Sequence, residues 1–90
     1  MEARERPAVL GVVLEPEGDR LVVVLDGALD GSTGHLVDSA VRECPGWVEE
    51  VVIDLTAVRE IGPGGDDALA NAYVDLVESG RRVVVRREAC

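Results

Sequence analysis

Val51-Val52-Ile53-Asp54-Leu55-Thr56-Ala57-Val58-Arg59-Glu60-Ile61-Gly62-Pro63-Gly64-Gly65, continuing through residues 66–80, is the stretch that decides the fold. Val51, Ile53 and Leu55 alternate with Val52 and Asp54 in a β-branched run, the pattern of a pleated and largely covered strand. A short connector and a glycine-rich turn follow. Leu69, Ala72, Tyr73, Leu76 and Val77 then recur at i, i+3, i+4, i+7 and i+8, so they share one face of an α-helix. Pro63 can open that helix, because its missing N–H would have no intrahelical partner there. Asp66 and Asp67 oppose the positive end of the helix dipole. Gly80 can end the helix in the left-handed conformation.

Working outward from this unit, residues 1–7 are charged and end at Pro7, which predicts a flexible lead-in ahead of one domain over residues 8–90. Ala8–Leu14 reads as a first strand, and Glu15-Pro16-Glu17-Gly18-Asp19 as a turn. Arg20–Asp26 reads as a second strand, whose unbroken Leu21–Leu25 core predicts cover on both faces. So short a connector makes the two strands antiparallel neighbours. Gly27–Gly34 leads into a helix for which Ser32 or Thr33 is the natural N-cap. Leu36, Val37, Ala40, Val41 and Cys44 form its apolar stripe, and Pro45-Gly46 breaks it. Trp47 then leads into the central strand at Val48–Leu55, and Arg82–Arg87 is a last strand. The order is β-β-α-β-α-β. Right-handed crossovers make the later strands parallel, so the expected class is α/β, a mixed sheet with helices packed on it.

Composition removes several functions. Ninety residues suffice for one two-layer core. Trp47 and Tyr73 are the only aromatic residues, too few for a platform that stacks single-stranded nucleic acid. A formal charge of −9 opposes binding to nucleic acid or an anionic membrane. The charge is uneven, since residues 81–90 hold four Arg against Glu88. An acidic body with a basic last strand reads first as a solvated surface, with head-to-tail contacts as the alternative. Cys44 and Cys90 make no disulfide framework. No apolar run approaches the ~20 residues of a membrane span, and residues 1–7 lack an apolar signal region, so a cytoplasmic location is expected.

Four segments together resemble a known family. Leu21–Asp30, LVVVLDGALD, is similar to the second strand and Gly-x-Leu-Asp corner of the STAS domain (sulfate transporter and anti-sigma factor antagonist). Val51–Val58, VVIDLTAV, resembles its central strand with an Asp-Leu-x-x-Val ending. Ile61–Gly65 takes the place of its switch loop, and the long helix and Gly80–Val85, GRRVVV, follow as they do in the family. The resemblance covers roughly residues 8 to 87. It implies a STAS-like mixed sheet and a regulatory protein-binding module, an anti-sigma factor antagonist whose partner is a kinase-like anti-sigma factor.

Two departures bear on function. The family's switch loop reads Asp-Ser-Ser/Ala-Gly, and its Ser is phosphorylated by the partner kinase. Here Pro63 stands at the phosphoacceptor position and Gly62 at the acidic one, so Ser phosphorylation there is excluded. The family also continues past the fourth strand with a further helix and strand. Here the sequence ends at Cys90, which predicts an exposed edge at Arg82–Arg87 and possible self-association through it.

The expected partner-binding face comprises Asp30, Gly31, Ser32 and Thr33 with Gly62, Pro63, Gly64, Gly65 and Asp66. A glycine-rich loop before a helix can cradle an anion, but Asp66 and Asp67 repel phosphate and no P-loop Lys follows. The plain reading of Gly62–Gly65 is a tight turn between strand and helix. His35 reads as an exposed helix residue, and Asp54 as lying on the strand's less covered face or in local backbone contacts. No nucleophile–base pair, metal-ligand cluster or cofactor motif emerges. The sequence thus leads to a protein-binding regulator, with a self-associating or scaffold STAS unit as the alternative and an enzyme or small-molecule carrier a distant third.

Overall fold

The computed structural model describes residues 9–87; the expected lead-in, the start of the first strand at Ala8, and Cys90 lie outside them. Within that span the order is β1 (Leu10–Glu17), β2 (Arg20–Leu29), α1 (Gly34–Arg42), β3 (Glu50–Ile61), α2 (Gly65–Glu78) and β4 (Arg82–Arg86). The four strands form one sheet in the order β1-β2-β3-β4. β1 is antiparallel to β2, while β2, β3 and β4 run parallel. This is the α/β class, with the mixed sheet and the element order that the sequence predicts.

The first three strands run past their expected carboxyl ends, while β3 starts at Glu50 and not Val48 and β4 stops at Arg86, one residue short. β1 continues through Pro16 to Glu17, and the turn shrinks to Gly18-Asp19, with Glu17 paired to Arg20. Gly18 has a φ of +66°, and among the described residues no non-glycine residue has a positive φ, as in a two-residue hairpin turn with its left-handed residue first. β2 runs three residues past Asp26 to Leu29. The expected connector after Leu55 is itself strand, since β3 reaches Ile61 and pairs there with Leu29. Alternation hides this because the β2–β3 register shifts twice, between Val24/Asp26 and between Gly27/Ala28. At each shift β3 carries one extra residue, a β-bulge that bends the strand and breaks the period of two.

One face of the sheet carries both helices. The core between the layers is Leu21, Val23, Leu25 and Leu29 from β2, Val51, Ile53 and Leu55 from β3, Val37 and Ala40 from α1, and Ala72 and Leu76 from α2, with Leu10 and Val48 at its margin. Leu36, Val41, Cys44 and Leu69 pack against it, as their periodicity predicts. Burial pushes the Cys44 thiol up from its ordinary pKa. Tyr73 and Val77 are a correction: both are about half exposed, at 48% and 47%. α2 touches the core along the narrower stripe Leu69, Ala72, Leu76, because α1 flanks it on one side and only β4 lies beneath the other. The opposite face of the sheet bears Val22 and Val52, both buried, beside the ion-paired row Arg20–Glu50–Arg82. Both are buried although no helix covers this face, so the cover expected on both faces of β2 is not supplied by a second layer among the described residues.

α2 ends as expected. Gly80 has a φ of +89°, its amide donates to Val77 O, and the Arg81 amide donates to Leu76 O, a complete Schellman stop. The start of α2 is a correction. Gly64 is its N-cap and Gly65 its first residue, so Pro63 lies in the turn before the helix and does not open it.

Candidate protein-binding site

β2 and β3 are parallel neighbours, so their carboxyl ends deliver the β2–α1 and β3–α2 loops to the same end of the sheet. The two loops are joined by backbone. The Gly31 amide donates to Pro63 O at 2.8 Å, and the Gly62 amide donates to Leu29 O at 2.8 Å. Asp30–Thr33 and Gly62–Asp66, read from the sequence as one face, are adjacent in space.

The glycines have geometric reasons. Gly64 has a φ of +87°, and a Cβ there would stand 2.7 Å from Gly31 Cα. At Gly65 a Cβ would lie 2.5 Å from Leu29 O and 2.9 Å from Ile61 Cγ2. The first turn of α2 thus sits directly on the ends of β2 and β3, and only a residue without a side chain permits it. The tight-turn reading of Gly62–Gly65 is therefore correct as structure.

The first loop is organised by a carboxylate. Asp30 Oδ1 accepts from the Ser32 amide at 2.8 Å, the Ser32 hydroxyl at 2.7 Å and the Thr33 amide at 3.3 Å. The Ser32 hydroxyl first, then its amide, hold the Asp30 carboxyl below the ordinary carboxylate range. Thr33 is the N-cap of α1 by position, but its side chain makes no capping bond. Instead its hydroxyl donates to Ala28 O at 3.0 Å and accepts from the Asp30 amide at 3.0 Å. The capping expected of Ser32 or Thr33 is corrected: neither side chain caps α1, and the Asp30 carboxylate instead accepts from the Ser32 and Thr33 amides ahead of the helix, the local bonding pattern that competes with a cap.

These bonds sort the candidate residues. Thr33 is buried and Gly65 is buried, so neither is offered to a partner; Gly31, Ser32, Pro63, Gly64 and Asp66 are exposed, and Asp30 and Gly62 are half-buried. His35 and Asp67 are exposed nearby. The rim is acidic, from Asp30, Asp66 and Asp67, with no Lys or Arg in either loop. Asp54 sits away from this rim, on the face without helices. Its Oδ1 accepts from the Thr56 amide at 2.9 Å and the Thr56 hydroxyl at 2.7 Å, and its Oδ2 lies 3.4 Å from Arg86. The Thr56 amide first, then its hydroxyl, lower the Asp54 pKa. Among the described residues no three His, Cys, Asp or Glu side chains gather as metal ligands. No helix there is long and apolar enough to cross a membrane.

Arg81 is a residue that sequence reasoning missed, having taken it as part of the basic last strand. It precedes β4, and its guanidinium reaches inward. Nε donates to Val48 O at 3.0 Å, one terminal nitrogen to Pro45 O at 2.9 Å and the other to Ser79 Oγ at 2.9 Å. It ties the α1–β3 connection to the end of α2. Nothing in Gly80-Arg81-Arg82 distinguishes it from its neighbour.

No protein-family model matches the chain, and no curated protein does. Solved structures do. An anti-sigma factor antagonist from Mycobacterium paratuberculosis is 28% identical over 87% of this chain and 68% of its own, with a TM-score of 0.66. An antisigma-factor antagonist STAS domain from Rhodobacter sphaeroides aligns over 86% of this chain and 85% of its own with a TM-score of 0.69; at 20% identity it shows the fold alone. Two structures of a protein called Mglu align over 81% of this chain, at 29% and 25% identity and TM-scores of 0.75 and 0.76. The chain spans only 18% and 22% of those two. In fold, this chain is similar to the STAS domains of the anti-sigma factor antagonists.

Proposed function

We propose that this domain is a regulatory protein-binding module of the anti-sigma factor antagonist kind, acting in the cytoplasm without catalysis or cofactor. Its contact surface is the joined loop pair, with Asp30, Gly31, Ser32, Gly62, Pro63, Gly64 and Asp66 presented and Thr33 and Gly65 holding them from beneath. The carrying observation is the 2.8 Å bond from the Gly31 amide to Pro63 O, which makes one rigid surface of two loops. A surface already ordered loses little conformational freedom on binding. Its acidic rim suits a basic patch on the partner. The partner class is a kinase-like anti-sigma factor, and Pro63 removes the hydroxyl through which such a kinase would release itself. Binding is then set by concentration and not by phosphorylation at that loop.

The test is calorimetric titration against the purified anti-sigma factors of the source organism, with Ser32→Arg and Asp66→Arg as variants. One of them is expected to bind, with affinity falling about tenfold or more in each variant, as for a charge placed wrongly in a rim. Absence of binding to all of them, or binding indifferent to both variants, overturns the proposal. The alternative, a scaffold unit that associates with its own kind, has support of a different sort, in the edges of the sheet.

A further inference from the structure

We infer that this domain assembles head to tail, with β4 of one copy pairing antiparallel to β1 of the next, so that one sheet continues through successive molecules. Among the described residues the sheet ends at β1 on one side and β4 on the other. Each outer strand leaves apolar side chains in water. Val13 is 55% exposed and Leu14 37% on β1, while Val84 and Val85 are both 43% exposed on β4.

Direction and facing both permit the contact. β1 runs antiparallel to β2, and β2, β3 and β4 run parallel, so a second copy added without being turned over presents β1 antiparallel to β4. The register that sets Val12 opposite Val85, Val13 opposite Val84 and Leu14 opposite Val83 also sets Glu15 opposite Arg82. Every one of those pairs keeps its faces. Val12, Leu14, Val83 and Val85 are in line with the core residues Leu25, Val23, Val51 and Ile53 on the helical side. Val13, Glu15, Arg82 and Val84 all share the other side. A one-residue slip would oppose core-facing to open-facing side chains along the whole strand. Cross-strand apolar and opposite-charge pairs stabilise a ladder, and like charges placed opposite oppose it.

Charge also selects against the symmetric alternatives. Pairing β4 with β4 about Val84 would oppose Arg82 to Arg86 in both directions. Pairing β1 with β1 brings together strands that hold Glu15 and Glu17 and no basic residue. The arginines of β4 therefore guard against a two-fold dimer while fitting the acidic edge of another copy. The helical layer agrees. α1 packs against β1, and α2 against β3 and β4, so the added copy brings its α1 beside the outer flank of α2. That flank is the one bearing Tyr73 and Val77, about 140° and about 180° around the helix from Ala68, whose Cβ faces Gly34 of the same chain's α1. A heterologous contact of this kind builds a ring where its rotation closes and an open array where it does not; a sheet continued from copy to copy, with the twist between its strands, is the open case.

This inference uses the lateral edges and is independent of the loop site, so either can fail alone. Sedimentation velocity across micromolar to near-millimolar concentrations, with reductant present, tests it. Wild-type protein is expected to pass beyond dimer without a ceiling, less so in high salt. Arg82→Glu and Glu15→Arg, each alone, should hold the chain near its 9.6 kDa monomer, with association weakened about tenfold or more. The two changes combined in one chain, or the two single variants mixed, should restore assembly. Circular dichroism confirms folding; should a reversed charge unfold the chain, Arg82→Gln and Glu15→Gln must still weaken assembly and lessen its salt dependence. A monomeric wild type, a strict dimer, or assembly unaffected by these changes overturns the inference.

Discussion

Gly64 stands against Gly31 so closely that the two residues share the space of one side chain: a Cβ on Gly64 would lie 2.7 Å from Gly31 Cα and 2.9 Å from its nitrogen. The loops before the two helices are thus a single packed object. Gly64→Ala must both enter the left-handed region and push Gly31 aside. We predict a loss of about 2 kcal/mol or more in urea denaturation, near the upper range for a strained non-glycine residue. Gly64→Glu would suffer the same strain, so it cannot report on binding alone. A wild-type midpoint in Gly64→Ala would mean the loops separate freely.

Arg81 offers a second prediction. Its three donors reach Val48 O, Pro45 O and Ser79 Oγ. Arg81→Lys keeps the charge but cannot reproduce the planar fork. Both Arg81→Lys and Arg81→Ala are expected to destabilise the domain by about 1–3 kcal/mol, since carbonyls covered by the guanidinium lose a charged donor. Arg82→Ala, exposed and weakly ion-paired, serves as the control and should shift stability by less than about 1 kcal/mol.

Acid should weaken the fold through two carboxylates. Asp54 and Asp30 both have pKa values lowered in the folded state, chiefly by hydrogen bonds from Thr56 and Ser32 respectively. A group whose folded pKa lies below its unfolded value stabilises the fold fully above the unfolded value, near 4. That stabilisation is lost as pH falls through the folded pKa. Stability measured from pH 7 down to pH 2 should therefore decline below about pH 4, and Asp54→Asn should flatten part of the decline. An unchanged slope in Asp54→Asn would show that its bonds to Thr56 do not favour the ionised form.

Pro63→Ser gives a gain-of-function test. Pro63 is exposed and its backbone amide nitrogen bonds nothing, while its carbonyl, which accepts from Gly31, is kept by any residue. The variant should fold as wild type does and become a substrate for a switch-type kinase with ATP, read by peptide mass mapping. Wild-type protein should take no phosphate between Ile61 and Gly65. In the first loop Thr33 should also stay unmodified, because its hydroxyl is buried and doubly bonded.

Elements and their order were legible because each is signalled by local periodicity. Leu36–Cys44 and Leu69–Leu76 repeat at helical spacing, and Val51–Leu55 alternates. What was not legible lies where two segments must meet. The extension of β3 to Ile61 depends on bulges that no single strand announces. The half-exposure of Tyr73 and Val77 depends on what the described residues place beside α2, whereas their spacing alone puts them with Leu76. Asp30 could have been read as the organising carboxylate, since Asp-x-Ser-Thr is a recognisable local bonding pattern. Arg81 could not, because its acceptors lie 33 and 36 residues away.

The bulges in β3 also make the candidate site a matter of residue count. β3 spends twelve residues where β2 spends ten, so its last turn-bearing segment arrives displaced from a plain ladder. Arg59 is the unpaired residue of the second bulge, between Val58 opposite Gly27 and Glu60 opposite Ala28; deleting it would leave the core pairs Leu21–Val51 and Val23–Ile53 untouched yet remove the bend with which β3 delivers the loop. The core and the contact surface are thereby separately adjustable: length changes beyond Leu55 can reshape what a partner meets while the packed layer beneath keeps its sequence.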